Sequence, residues 1–403
     1  MRSKSVHCLS GCLSGCLSVL AAAALLAGPV WSVPPAHAGP SLSSQLHQLA
    51  DNVKVDAVQV ANDARRYALS TKKKAKRAAS TAKNIYRGLT SEPPTITTAP
   101  GAVAPPPAPS LAGIGTYQVE EQSYAFVDPS RPTESTKQFP SVPQRSLPTL
   151  VWLPKDAPAG LAFPLVVFAH GLGANAGRYR DLLKGLAGAG YVVAAPTFPV
   201  SSKLSTDSLS ISDVVGVGSD VFVSETGQPR DLSFVIDQML ALNAPGGALA
   251  GRIDPTRLAA VGHSLGAVSV IDQGYNECCI DRRLRAVAAI SGFQNITRST
   301  SFFTKAPIPL LLIHGDQDST VPYLGSLLAF EGAGSPKSFL TIRGGEHSFV
   351  LKGKPDSQLL IGGIAVQAVV DWFDRYVKDA PDGLKRLQTL ADSQPALLQL
   401  TTG

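Results

Sequence analysis

A serine with a glycine two positions away on either side, Gly262-His263-Ser264-Leu265-Gly266, occurs once in this 403-residue chain. Alone the pattern is weak, because the chain carries 36 glycines. Its context strengthens it. The apolar stretch 257–263 reads as a buried strand, and 265–273 reads as the helix after it. A turn that tight leaves no room for Cβ atoms two residues either side of the serine, so both positions are glycine. It lifts the Ser264 hydroxyl above the sheet and sets it at a helix N-terminus, where the dipole favours developing negative charge.

A neutral hydroxyl is a poor nucleophile and needs an imidazole within hydrogen-bond reach. Of the seven histidines, His7, His37 and His47 lie near the N-terminus, His170 precedes a glycine loop, and His263 sits inside the serine turn. At strand-to-helix elbows of this kind the chain order is serine, acid, histidine. Only His314 and His347 follow Ser264, and only His347, in Gly344-Gly345-Glu346-His347-Ser348-Phe349, has an acidic loop upstream after a strand. The acid must lie in His314-Gly315-Asp316-Gln317-Asp318-Ser319-Thr320-Val321-Pro322, where Asp316 and Asp318 both qualify by spacing. The loop His170-Gly171-Leu172-Gly173 follows another apolar strand. Its Leu172 N–H, with that of Leu265, is placed to stabilise an oxyanion. Tyr179 reads either as flanking the same pocket or as a packed helix tyrosine, and Phe293, Phe302 and Phe303 either as lining an acyl pocket or as ordinary packing.

The elements that would position these residues alternate along the chain. Outer antiparallel strands are expected over 116–127 and 149–153, and buried strands over 164–169, 191–196, 257–263, 285–290, 308–314 and 338–342. Helices are expected over 178–189, 228–242, 265–273 and 359–377. Continuous apolar strands between helices predict an α/β protein with a mainly parallel sheet wrapped by helices. Ligand sites in such sheets lie at the carboxyl ends of the strands, where every residue above falls. The segment 291–307 is too short for a large cap domain.

Over about residues 115–380 the chain resembles the α/β-hydrolase superfamily, on HGLG (170–173), GHSLG (262–266), HGDQDSTVP (314–322) and GGEHSF (344–349). Within it the chain is similar to the dienelactone-hydrolase-like, chlorophyllase-like and polyester-hydrolase-like enzymes, exported esterases included. Tyr275-Asn276 and Cys278-Cys279 after the nucleophile helix add to that likeness. The resemblance implies an α/β-hydrolase fold without a large cap and a Ser264–Asp318–His347 triad. It selects Asp318 over Asp316, because the family's acid stands three before the Val-Pro pair. It implies a carboxylic-ester hydrolase acting through an acyl-enzyme on short or medium acyl esters, lipid esters included. Polyester hydrolases usually carry an aromatic residue where this chain has Leu172 and a methionine where it has Leu265, so polymer cleavage is not implied. A serine peptidase or acyltransferase on the same fold, and a surface-binding protein with a vestigial hydrolase domain, are the competing readings.

Composition bounds the rest. Hydrophobic residues make up 44% and charged residues 16%, which is globular rather than disordered. Residues 1–38 read as a signal peptide: Arg2 and Lys4, an apolar run over 17–27, then Ala36-His37-Ala38 as the cleavage site. A secreted or cell-envelope location is therefore expected. Residues 41–90 read as a basic helical segment, either a solvated face or tether or a contact for anionic lipid or cell-wall polymer, and 91–114 as a proline-rich linker. The net charge of +6 resides in these N-terminal parts, since 41–92 hold ten Lys/Arg against four Asp/Glu. Nothing in the remainder points to nucleic acid. Residues 381–403 are expected as a peripheral tail. No cofactor is expected, and the scattered histidines suggest no metal site. Cys278 and Cys279 are open as thiols, a vicinal disulfide or a metal pair.

Overall fold

The computed structural model describes residues 117–135, 140–158, 160–202, 227–294, 308–351 and 356–403. The expected signal peptide, basic segment and proline-rich linker, with Phe302 and Phe303, lie outside the described residues.

A nine-stranded sheet carries the fold: β1 (Val119–Asp128), β2 (Arg145–Pro154), β3 (Phe163–Ala169), β4 (Val192–Pro196), β5 (Ile253–His263), β6 (Leu284–Ile290), β7 (Leu310–Gly315), β8 (Lys337–Ile342) and β9 (Leu398–Thr402). Their spatial order is β1-β2-β4-β3-β5-β6-β7-β8-β9. The block from β4 to β8 is parallel, and β1, β2 and β9 join antiparallel at the two ends. The helices are α1 (Arg180–Gly188), α2 (Gln228–Asn243), α3 (Leu265–Tyr275), α4 (Tyr323–Gly332), α5 (Asp356–Tyr376) and α6 (Gly383–Ser393).

Strand periodicity divides the core. Side chains alternate between faces, so Val166 and Phe168 of β3 join α1 and α5 through Leu182, Leu186, Val369 and Phe373. Leu165 and Val167 point the other way, onto α2 and α3 through Val235, Met239, Val270 and Ile271. Both faces are covered, which is why all seven residues of β3 are apolar and buried. Edge strand β1 instead has mostly exposed or half-buried positions. Among the described residues no helix is long and apolar enough to cross a membrane.

Two expectations are corrected or resolved. Residues 381–403 are no peripheral tail. β9 pairs antiparallel with β8, from Ser338↔Thr402 to Ile342↔Leu398, and covers what would be an open sheet edge. Helix α6 buries Leu387, and its Arg386 holds Asp371 at 2.8 Å and Asp374 at 2.6 Å on α5. Cys278 and Cys279 form a vicinal disulfide.

One buried ion pair ties the antiparallel edge to the core. Arg145 of β2 grips Asp231 of α2 with both ends of its guanidinium, at 2.6 and 2.7 Å. Arg131 reaches the same carboxylate at 2.9 Å. Burial pushes the Asp231 carboxyl up, against the pull of these two cations. Asp231→Ala would leave the buried Arg145 guanidinium with only Glu134, at 3.2 Å, as a partner, and breaking such a buried pair typically costs about 3–5 kcal/mol. The expected result is a matching loss in urea unfolding with an unchanged m-value.

Candidate active site

The strand–turn–helix around Ser264 folds as its glycines require. Ser264 has φ 58° and ψ −122°, a left-handed conformation at the cap of α3. Ideal Cβ atoms on Gly262 and Gly266 would overlap the Gly266 carbonyl and the Ala169 carbonyl, so neither position tolerates a side chain. Main-chain bonds fix the elbow: Ser264 N–H donates to the Ile290 carbonyl at 2.9 Å, and the Ser264 carbonyl accepts from Ala267 and Val268.

Three residues far apart in sequence meet at the carboxyl ends of the strands. His347 Nε2 lies 2.9 Å from Ser264 Oγ, and His347 Nδ1 lies 2.7 Å from Asp318 Oδ2. The Asp318 side chain is completely covered, whereas His347 keeps 15% of its side chain exposed. Asp318 Oδ1 accepts the N–H groups of Thr320 and Val321 at 2.9 and 2.8 Å. Burial alone would raise the Asp318 carboxyl. The hydrogen bonds from His314 and His347, with the Val321 amide, outweigh it and hold the group far below the ordinary carboxylate range. Asp316 stands apart from this chain: its Oδ1 accepts the Gly344 N–H at 2.7 Å and so braces the loop that carries His347.

His314 is a contact that spacing did not reveal. It is fully buried, with Nε2 3.0 Å from Asp318 Oδ2 and 3.1 Å from the Val321 carbonyl. Its Nδ1 meets Ser326 Oγ on α4 at 2.7 Å. Asp318 therefore gathers four N–H groups, two from imidazoles and two from the main chain.

The loop after β3 is held from several sides. His170 Nδ1–H donates to the Gly171 carbonyl at 2.8 Å, and His170 Nε2 accepts the Phe198 N–H at 3.0 Å. Gly171 N–H donates to Tyr179 Oη at 3.0 Å, and Gly173 N–H to the Ser201 carbonyl at 2.9 Å. Leu172 lies between these two committed amides. The loop runs against the serine, since an ideal Cβ on Gly171 would sit 3.1 Å from Ser264 Cβ. The Leu265 N–H opens α3, where a first-turn amide has no intrahelical acceptor. Beside them Val200, Leu265 and Val268 form a small apolar cluster, with Leu172 and Phe293 packed on it.

Of the two readings of Tyr179, the structure gives the packed one. It is buried to 1% exposure, because its hydroxyl turns inward between Gly171 N–H and His263 Nδ1. Among the described residues no group of three or more His, Cys, Asp or Glu is arranged to hold a metal ion.

Burial keeps two of these imidazoles uncharged. It lowers His170 to about 4, and burial together with nearby His347 lowers His263 to about 3. In the unfolded chain both would titrate near about 6.5. The folded state thus binds fewer protons across that interval, and the stability these groups contribute is complete above about pH 6.5 and drains away as pH falls toward 3–4. Scanning calorimetry at pH 7 and pH 4.5 is expected to show Tm lower by roughly 10 °C at the acidic value. An unchanged Tm would mean that these rings do not stay neutral in the fold.

Comparison with known proteins agrees with this architecture. A family model described as phospholipase/carboxylesterase matches residues 156–331, which include Ser264 and Asp318 and end before His347. The uncharacterized protein YfhR of Escherichia coli (strain K12) is 27% identical over 143 residues, 31% of this chain and 50% of its own length. Its counterpart in Escherichia coli O157:H7 is 29% identical over 143 residues, with the same shares. The chain thus spans about half the length of the curated relatives it matches. With its parallel sheet, glycine-flanked serine elbow and strand order, the chain has the α/β-hydrolase fold.

Proposed function

We propose that this chain is an exported serine hydrolase that cleaves carboxylic esters of short or medium acyl chains. The observation that carries the reading is the unbroken hydrogen-bonded line from Ser264 Oγ through His347 to the buried Asp318 carboxylate. His347 Nε2 takes the hydroxyl proton as Ser264 Oγ attacks the ester carbonyl. The Leu172 and Leu265 amides stabilise the oxyanion of the tetrahedral intermediate. Its collapse expels the alcohol, which takes its proton from His347, and leaves an acyl-serine. Water, deprotonated by the same imidazole, then releases the acid. Asp318 holds the His347 tautomer and stabilises the imidazolium formed in each half-reaction.

The match to a phospholipase/carboxylesterase model supports an ester bond as the target. The cluster of Leu172, Val200, Leu265, Val268 and Phe293 supports an apolar acyl group of modest length. Export rests on the N-terminal sequence alone. The test is a series of p-nitrophenyl esters from acetate to palmitate. The expected result is a p-nitrophenol burst equal to the enzyme concentration, strongest for short and medium chains. Release no faster than in buffer across the whole series would overturn the proposal.

A further inference from the structure

Two buried side chains next to the site, Tyr179 and His263, take no part in the proposed reaction. His263 Nε2 lies 2.8 Å from the His347 carbonyl oxygen, which can only accept. The ring proton therefore sits on Nε2, and Nδ1 of the neutral ring must accept. Nδ1 is 2.9 Å from Tyr179 Oη, so the phenol O–H donates to it. The phenol oxygen in turn accepts the Gly171 N–H at 3.0 Å. Every proton in the line now has one direction: Gly171 to Tyr179, Tyr179 to His263, His263 to His347.

The ends of this line are significant. One is the amide next to Leu172 in the oxyanion loop, and the other is the main chain of the proposed base. Ser264 lies between them, next in sequence to His263 and packed against Gly171. We propose that Tyr179 and His263 are positioning residues, a one-way hydrogen-bond relay holding the Leu172 amide and the His347 imidazole in register across Ser264. The inference rests on the serine-hydrolase reading above and deepens it. Buried polar groups are usually satisfied wherever they occur, but here the satisfied partners are the backbones of the two loops whose spacing sets the reaction geometry. A displacement near 1 Å in such a frame can cost about 100-fold in rate.

The ring must also stay neutral while its neighbour becomes charged. The His263 and His347 rings are 4.8 Å apart between centroids, and His347 turns cationic in each half-reaction. The groups acting on His263 are Tyr179, His347, Asp318 and His314. A proton on Nδ1 would reverse the Tyr179 bond and leave the phenol hydrogen without its acceptor.

The test uses the full chain with Tyr179→Phe, His263→Asn, His263→Gln and the Tyr179→Phe/His263→Asn double variant. Tyr179→Phe keeps the ring and removes only the linking oxygen. Asparagine keeps an acceptor near the Nδ1 position, and glutamine keeps a donor near Nε2. Hydrolysis of p-nitrophenyl butyrate, Tm and the rate of Ser264 labelling by a fluorophosphonate are measured over pH 6–9. Tyr179→Phe and His263→Asn are each expected to lower kcat by about 10- to 100-fold with KM within about twofold. The double variant is expected to fall no further than the worse single, as members of one network do, and His263→Gln to recover part of the His263→Asn loss. Unchanged kcat with a lowered Tm would reduce both residues to packing, and multiplicative losses in the double variant would dissolve the relay; either result overturns the inference. A wild type that neither hydrolyses nor takes label defeats the serine-hydrolase reading itself. A reactive wild type with equally reactive variants defeats the relay alone.

Discussion

Ser264→Ala is expected to lower kcat for ester hydrolysis by about six orders of magnitude while leaving the fold intact. In the proposed mechanism the hydroxyl is the atom that bonds to the substrate, so nothing else at the site replaces it. What remains is the modest acceleration an oxyanion-stabilising loop supplies without a nucleophile. The substitution is structurally mild. Alanine keeps the Cβ that already fits the elbow, and Ser264 Oγ bonds to His347 Nε2. Steady-state rates on p-nitrophenyl butyrate, beside a melting curve, check both halves. A variant keeping more than about a thousandth of the wild-type rate would mean that another group attacks the carbonyl.

Asp318→Asn carries the second largest effect, a fall in kcat of about 10³- to 10⁴-fold. The carboxylate receives four N–H donors: His314, His347, Thr320 and Val321. A carboxamide has one oxygen to offer. If that oxygen stays with the Thr320 and Val321 amides, the new NH₂ group faces two imidazole N–H groups and drives His347 to the wrong tautomer. If it turns the other way, two main-chain amides lose their acceptor, at about 1–3 kcal/mol for each buried group left unpaired. Wild-type Asp318 remains ionised throughout the usual assay range, because its four donors overcome burial. Loss of activity in mild acid must therefore arise from another group. Asp316→Asn is the informative control. Asp316 accepts one amide, that of Gly344, with a single oxygen. Asparagine can do the same, so kcat should stay within about threefold. Equal losses in the two variants would remove the distinction between them.

Much of this was legible before any coordinates, for physical reasons. Strands buried on both faces must be continuously apolar, and 164–169, 191–196 and 257–263 announced themselves that way. The serine elbow was legible because Gly262 answers a steric demand made within five residues, by the Gly266 carbonyl, while the demand on Gly266 comes from the distant Ala169 carbonyl. His347 and Asp318 followed from chain order and from likeness to a family, and the structure brings both to Ser264. What escaped depends on partners distant in sequence. Tyr179 read as either a pocket residue or a packed tyrosine because its neighbourhood was visible but its partner, 84 positions away, was not. His314 was set aside as a base, and its bond to Asp318 appears only once the loop closes on itself. Helix α4 carries no alternating polar face and begins directly after Pro322, so its periodicity was silent. Residues 381–403 lacked a long apolar run, and their place in the fold comes from pairing with β8 and from Arg386 reaching two aspartates on α5.

Covalent labelling gives the most direct test of Ser264 as an activated nucleophile. A fluorophosphonate reacts with a serine whose proton a neighbouring imidazole can take, and far more slowly with ordinary serines. Mass spectrometry of the treated protein should find one adduct per chain, carried by the peptide that contains Ser264 and absent from Ser264→Ala. An unmodified wild-type chain, or an adduct on any other serine, would contradict it.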